Sequence, residues 1–150
     1  EVEMIQSMSR VGKCIDNGPM EAFWGTLKSE MFYGIKFDSL DDLKTKIENL
    51  KLKGVEDVVV DPGFGFAKDL DDNFKLLQRL EEFHVLGKPV LVGLSRKSMI
   101  YKTLNSTPEE SLNGTIALNA IALLKGCHIL RVHDVRSAVE TVKLGIKLMR

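Results

Sequence analysis

Long apolar runs are missing from this sequence of 150 residues. None approaches the ~20 residues that a membrane-crossing helix needs, and no secretory pattern opens the chain, so a cytoplasmic protein with no membrane partner is expected. Cysteine is scarce: Cys14 and Cys127 stand far apart and outside any metal-binding spacing, which reads as reduced thiols. His84, His128 and His133 also lack ligand spacing. Neither sign of charge is in excess, with 21 Lys+Arg against 21 Asp+Glu and a formal net charge of +0. That balance argues against a dedicated binder of nucleic acid or other polyanions. Low-complexity segments and short repeats are absent. What remains is a soluble globular composition, enough for roughly one domain burying about two-thirds of its unfolded surface. Residue 1 is Glu and not Met, as in a fragment or a processed product.

Taken in order, residues 1–18 are polar and irregular and end in a turn at Asp16-Asn-Gly-Pro19. A helix is expected from about Met20, with Ala22, Phe23, Leu27, Met31 and Phe32 as its apolar stripe. Glu21 and Lys28 fall two turns apart on one face of it. A second helix is predicted from about Leu40 to Lys53, capped by Asp38 or Ser39 and ended by Gly54. Val55–Val60 then reads as a strand whose β-branched run expects burial on both faces. A helix over about Asp69–Leu86, a strand over Pro89–Leu94, a helix from Thr107-Pro108 to Lys125, a strand over Cys127–Asp134 and a helix over about Arg136–Met149 complete the chain. Strands alternating with helices imply right-handed parallel βαβ units.

Each of the three strands ends in polar groups. Asp61 opens a Pro-Gly turn after the first; Ser95, Arg96, Lys97 and Ser98 follow the second; Arg131, His133 and Asp134 follow the third. Parallel strands place those ends on one rim, where α/β folds gather ligands. Alternation along the strand puts Arg131 and His133 on one face. Together with Lys97 they suit a phosphate or pyrophosphate, and Asp61 suits the amino group of a heterocycle. Each group has an alternative as a salt-bridge or capping residue.

Three motifs, Asp61-Pro-Gly-Phe-Gly-Phe-Ala-Lys68, Leu91-Val-Gly-Leu-Ser-Arg-Lys-Ser98 and Arg131-Val-His-Asp134, stand in the order and spacing of the dihydropteroate synthase family, and the chain resembles that family from about Lys51, or from Lys46, to its C-terminus. The resemblance implies an α/β fold, part of a TIM (β/α)₈ barrel, with the three strands as its sixth, seventh and eighth. It implies the condensation of 6-hydroxymethyl-dihydropterin pyrophosphate with p-aminobenzoate, with release of pyrophosphate and use of Mg²⁺. By the same resemblance Asp61 and Lys97 would be the catalytic pair holding the pterin, with Gly65 beside them. Arg131 and His133 would bind the leaving pyrophosphate, and Phe66 and Ser98 would lie against p-aminobenzoate. The family's first strand and middle strands, which carry further pterin ligands and part of the metal site, have no counterpart here. About 100 residues fit a fold of ~250. The barrel part therefore holds no expected metal ligand, and little turnover is expected alone.

The stretch from Gln6 to Glu30, Gln6-Ser-Met-Ser-Arg-Val-Gly-Lys-Cys-Ile-Asp-Asn-Gly-Pro-Met-Glu-Ala-Phe-Trp-Gly-Thr-Leu-Lys-Ser-Glu30, resembles the end of the catalytic core of insertion-sequence transposases of the integrase type. That resemblance covers about residues 6–38 and would make Glu21 the last carboxylate of a metal-binding triad and Lys28 a DNA contact. Both partner aspartates are missing, and one carboxylate cannot organise two metals. Residues 1–40 hold four basic and six acidic side chains, so DNA is not an expected partner. The expected organisation is a transposase-like remnant over 1–40 and a half-barrel over 41–150. The expected partners are pterin pyrophosphate and p-aminobenzoate, with a homodimer or a self-associating partial barrel as the rival to an enzyme role. A join made by an insertion element accounts for both halves, and an assembly artefact is the alternative.

Overall fold

The structure, a computed structural model, describes residues 39–66 and 68–149. The expected turn at 16–19, the helix from Met20, Glu21 and Lys28 lie outside the described residues. Apart from residues 39–42, everything described belongs to one unit, Leu43–Arg150.

Helix α1 spans Leu40–Leu52. Ser39 caps it, its Oγ accepting the Asp42 N–H at 3.2 Å, and Asp41 and Asp42 sit in the first turn, where the positive end of the helix dipole favours acids. Gly54 closes it with φ +84° and an N–H bond to the Lys51 carbonyl at 2.9 Å. The sheet that follows is shorter than the sequence predicts. Strand β1, Leu91–Val92, pairs in parallel with β2, Ile129–Leu130, in the register Leu91 to Ile129 and Val92 to Leu130. On the other side of β1, among the described residues, there is a single parallel bridge, Val60 to Val90. Its two backbone bonds, Val60 N–H to Pro89 O and Leu91 N–H to Val60 O, are both 2.8 Å.

The expected strand Val55–Val60 is thus reduced to its last residue, and Val59 is 46% exposed where burial on both faces was expected. Strand propensity measures how well a side chain packs on sheet neighbours, and among the described residues no further strand lies beyond Val60. The predicted helix over Asp69–Leu86 is two elements. Helix α2, Leu70–Gln78, is capped by Asp69, whose carboxylate accepts the Asp72 N–H at 2.7 Å. A 3₁₀ segment, Leu80–Leu86, follows and ends at left-handed Gly87. Arg79, at the break, holds Glu82 by a fork of bonds at 2.7 and 2.8 Å. The short helix α3, Ser98–Tyr101, has no counterpart in the sequence reading. The helix expected from Thr107-Pro108 does not start there: the Thr107 N–H bonds the Glu110 carboxylate at 3.3 Å around a turn. Helix α4 begins only at Leu112 and runs to Leu124. Helix α5 spans Val135–Leu148 and packs on α4.

The core lies between the sheet and these helices. Val90, Val92 and Leu94 of the central segment are fully buried, joined by Phe64, Leu77, Leu80, Met99, Ile100, Ala122, Leu123 and Cys127. Burial pushes the Cys127 thiol up to about 11 from its ordinary 9.0. A thiol held protonated is a poor nucleophile. Iodoacetamide at pH 8 is therefore expected to alkylate Cys127 only after unfolding, as read by peptide mass spectrometry; rapid labelling of the native chain would contradict this packing.

Candidate active site

The first site residue is placed by a turn. Asp61 follows Val60 directly, and its Oδ1 accepts the Gly63 N–H at 2.9 Å, an Asx turn that ends the extended segment. Its other oxygen, Oδ2, stands 3.9 Å from the Arg131 guanidinium. The loop beyond is held from two sides. Lys68 Nζ donates to the carbonyl of Gly63 at 3.0 Å and lies 3.4 Å from that of Pro62. Burial lowers the Lys68 pKa below its ordinary value, against the opposing pull of Asp61 and Asp72. Asn73, 1% exposed on α2, accepts the Gly65 N–H at 2.7 Å and donates to Asp69 O at 2.6 Å.

That loop forms a platform for Lys97. The ammonium sits 5.3 Å from the centre of the Phe66 ring, within cation–π range. Gly65 has φ +80°, a backbone conformation that favours glycine, and a Cβ there would come 2.9 Å from Lys97 Nζ, which would have to shift. At Gly93 only closeness matters: a Cβ there would lie 3.0 Å from both Nε and a terminal nitrogen of Arg131, so that side chain would have to give by a few tenths of an ångström. His133 is held by Ser95, whose Oγ is 3.0 Å from the ring Nδ1 and 3.3 Å from the His133 backbone nitrogen. Gly93, Ser95, Lys97, Arg131, Val132 and His133 together line an open pocket of about 190 Å³.

Lys97, Arg131 and His133 thus share one pocket, Asp61 reaches it through Arg131, and Gly65 and Phe66 border it through Lys97. Ser98 opens α3 beside Lys97, half-buried, and does not line the pocket. Two groups from the same rim face each other instead. Arg96 holds both oxygens of Asp134, each at 2.9 Å, and also bonds the carbonyls of Pro108 and Glu109 at 2.9 and 2.8 Å. Its φ of +54° and the bond from its N–H to Thr115 Oγ1 at 3.0 Å set the turn that delivers Lys97. The alternative role of salt-bridge residue holds for this pair.

The Arg96 hydrogen bonds hold the Asp134 carboxyl below its ordinary value of 3.8. The unfolded chain takes up this proton first, so the pairing stabilises fully above the ordinary value and is lost as pH falls through the folded one. In urea titrations from pH 6 downward, Asp134→Asn is expected to show a shallower acid limb than the parent; parallel limbs would deny the pairing any role in stability.

Asn73, Lys68, Gly93 and the role of Ser95 were not foreseen. An asparagine inside a helix carries no signal of a loop anchor eight residues upstream. Gly93 inside a strand did carry one, since such glycines mark close approach by another group. Among the described residues no group of three or more His, Cys, Asp or Glu comes together as a metal site.

On a parallel α/β rim, then, a lysine and an arginine–histidine couple line one pocket, with an acid beside the arginine. The model of the pterin binding enzymes matches residues 37–133, and the chain belongs to that family. Within it, the relatives are dihydropteroate synthases: the chain is 52% identical to that of Escherichia coli K12 over 89 residues, 59% of this chain and 32% of the relative. Identity to that of Clostridium beijerinckii is 42% over 116 residues, 75% of this chain and 43% of the relative. The chain thus spans about a third to just under half of these relatives' length. Among solved structures, the Yersinia pestis dihydropteroate synthase superposes with a TM-score of 0.69 at 38% identity, covering 71% of this chain and 51% of that one. The Thermus thermophilus enzyme in complex with 4-aminobenzoate gives 0.67 at 43% identity, covering 71% and 42%. These neighbours are TIM barrels, and the chain is a partial α/β piece of one. A second model, the integrase core domain, matches residues 21–50. Among the described residues no helix is long and apolar enough to cross a membrane.

Proposed function

We propose that this chain carries the carboxyl-terminal share of a dihydropteroate synthase site: it binds pterin pyrophosphate and p-aminobenzoate in the cytoplasm but turns over little or nothing alone. The observation that carries the reading is the pocket in which Lys97, Arg131 and His133 meet beside Asp61. In the reaction the bond between the pterin methylene and the pyrophosphate oxygen breaks. The electron pair leaves with pyrophosphate, and the amine of p-aminobenzoate forms the new C–N bond and sheds a proton. Arg131 and His133 stabilise the charge growing on the leaving group. Asp61 accepts hydrogen bonds from the pterin's amino and ring N–H groups, and Lys97, braced on Phe66, lies over the same ring. Phe66 and Ser98 offer p-aminobenzoate an apolar face and a hydroxyl. Calorimetry with pterin pyrophosphate tests this: binding is expected, weakened ~10-fold or more by Asp61→Asn and by Lys97→Ala, the scale of a hydrogen bond to a charged group. Equal affinity in all three chains would overturn it.

The integrase-core match favours a second reading, a DNA-acting remnant governed by Glu21 and Lys28. It requires salt-sensitive DNA binding that Lys28→Ala abolishes; binding indifferent to both would dismiss it.

A further inference from the structure

The pairing of β1 with β2 continues past its backbone ladder as side-chain bonds. Val92 lies opposite Leu130 in the register, and the same offset of 38 positions links Ser95 to His133 and Arg96 to Asp134. The Ser95–His133 tie is double: Oγ lies 3.3 Å from the His133 backbone nitrogen and 3.0 Å from the ring Nδ1. A hydroxyl brings one hydrogen and two lone pairs. The backbone nitrogen can only donate, so its N–H takes one lone pair of Oγ. Among the described residues the hydroxyl hydrogen then has one acceptor, Nδ1. In a neutral imidazole one nitrogen accepts only when the other carries the proton.

We infer that Ser95 is a positioning residue: it holds His133 in the tautomer with its proton on Nε2, so that the ring offers the pocket an N–H donor for a diphosphate oxygen. The inference rests on the dihydropteroate synthase reading of the site, in which His133 meets the leaving pyrophosphate. The other tautomer would give Nε2 a lone pair, which repels the same anion. Ser95 lines the pocket too, but it acts through the histidine. With its hydrogen on Nδ1 and one lone pair taken, it has only a lone pair left, and an anion finds no donor there. Lys97 and Arg131 already supply cations to this pocket, and the imidazole N–H adds a directed bond beside them. The next rung, Arg96 holding both oxygens of Asp134 at 2.9 Å, ties the same two segments together when the Ser95 hydroxyl is removed.

Long-range proton–nitrogen correlation NMR of the full chain without ligand, at a pH where the imidazoles are neutral, reads the tautomer of His133 from its two ring nitrogens. His133→Gln supplies the assignment. The parent is expected to carry the proton on Nε2, and Ser95→Ala to show a mixture of the two tautomers. Calorimetry with inorganic pyrophosphate should find binding weakened ~3–10-fold by Ser95→Ala, part of what a hydrogen bond to a charged group is worth. In the His133→Gln background Ser95→Ala should weaken it no further, since a residue that acts through another is not additive with it. Circular dichroism checks that each variant is folded. A parent with the proton on Nδ1 would overturn the inference without any Ser95 variant. An unchanged tautomer in Ser95→Ala, or an equal loss of affinity with and without His133, would also overturn it. The tautomer is read without ligand, so a parent that carries the proton on Nε2 but binds no pyrophosphate overturns the dihydropteroate synthase reading and leaves Ser95 its hold on the ring.

Discussion

Incubated with pterin pyrophosphate, p-aminobenzoate and Mg²⁺, the purified chain is expected to form dihydropteroate at less than about a thousandth of the rate of a full-length relative. Removing one preorganised stabilising group costs ~10²–10³ in rate, and this chain spans only about a third of the E. coli enzyme it matches. What it retains is open to solvent: the Arg131 side chain is 49% exposed. Exposed charges act through a high dielectric, where a pair at ~4 Å is worth about 1 kcal/mol against several in a dry site. On the proposed reading, Arg131 and His133 therefore hold the pyrophosphate without lowering the barrier much. Binding without turnover is the expected combination. A rate within tenfold of the full-length enzyme, measured by product formation from radiolabelled p-aminobenzoate, would defeat the reading.

Asn73→Leu is expected to be the most damaging single change to the glycine loop. The side chain is buried and occupied at both ends, accepting from Gly65 and donating to Asp69. Leucine matches its size but strands the Gly65 N–H, while the Asp69 carbonyl keeps the backbone N–H of residue 73 at 3.3 Å, and a buried polar group left unpaired costs ~1–3 kcal/mol. A loss of about 1–3 kcal/mol in urea denaturation is expected, a large share of a marginal total. The same change should weaken pterin pyrophosphate binding, because Gly65 and Phe66 form the platform on which Lys97 rests. Asn73→Asp separates the two contributions. It keeps an acceptor for Gly65 while losing the donor to Asp69, so binding should suffer less than stability. Leucine and aspartate variants as stable as the parent would show that the loop is held by Lys68 and Gly63 alone.

Most of the element order was legible before any coordinates. Ser39, Asp69 and Gly54 mark helix ends that form as read, since capping needs only neighbours three or four residues away. The failures are where a local signal met a missing or distant partner. Val58–Val60 has the composition of a buried strand, and among the described residues only Val60 of it is paired. Thr107 and Glu110 make their capping bonds around a turn, and the chain between Leu80 and Leu86 tightens into 3₁₀ geometry. The motif residues were legible as a set because each follows its own strand. Their division of labour was not.

By itself, then, the sequence determined that strands and helices alternate, that polar groups cluster at the ends of the strands, and that two unrelated family likenesses meet near residues 37–50. All of this is written in spacings of a few residues. Only the tertiary structure decided which charges face the pocket and which face each other. Arg96 and Asp134 neutralise one another across 38 positions of chain, while Lys97, next along, is carried onto Phe66. Such choices depend on the parallel register that brings Val60, Val90–Val92 and Ile129–Leu130 side by side, and register is a relation between segments that no one segment contains.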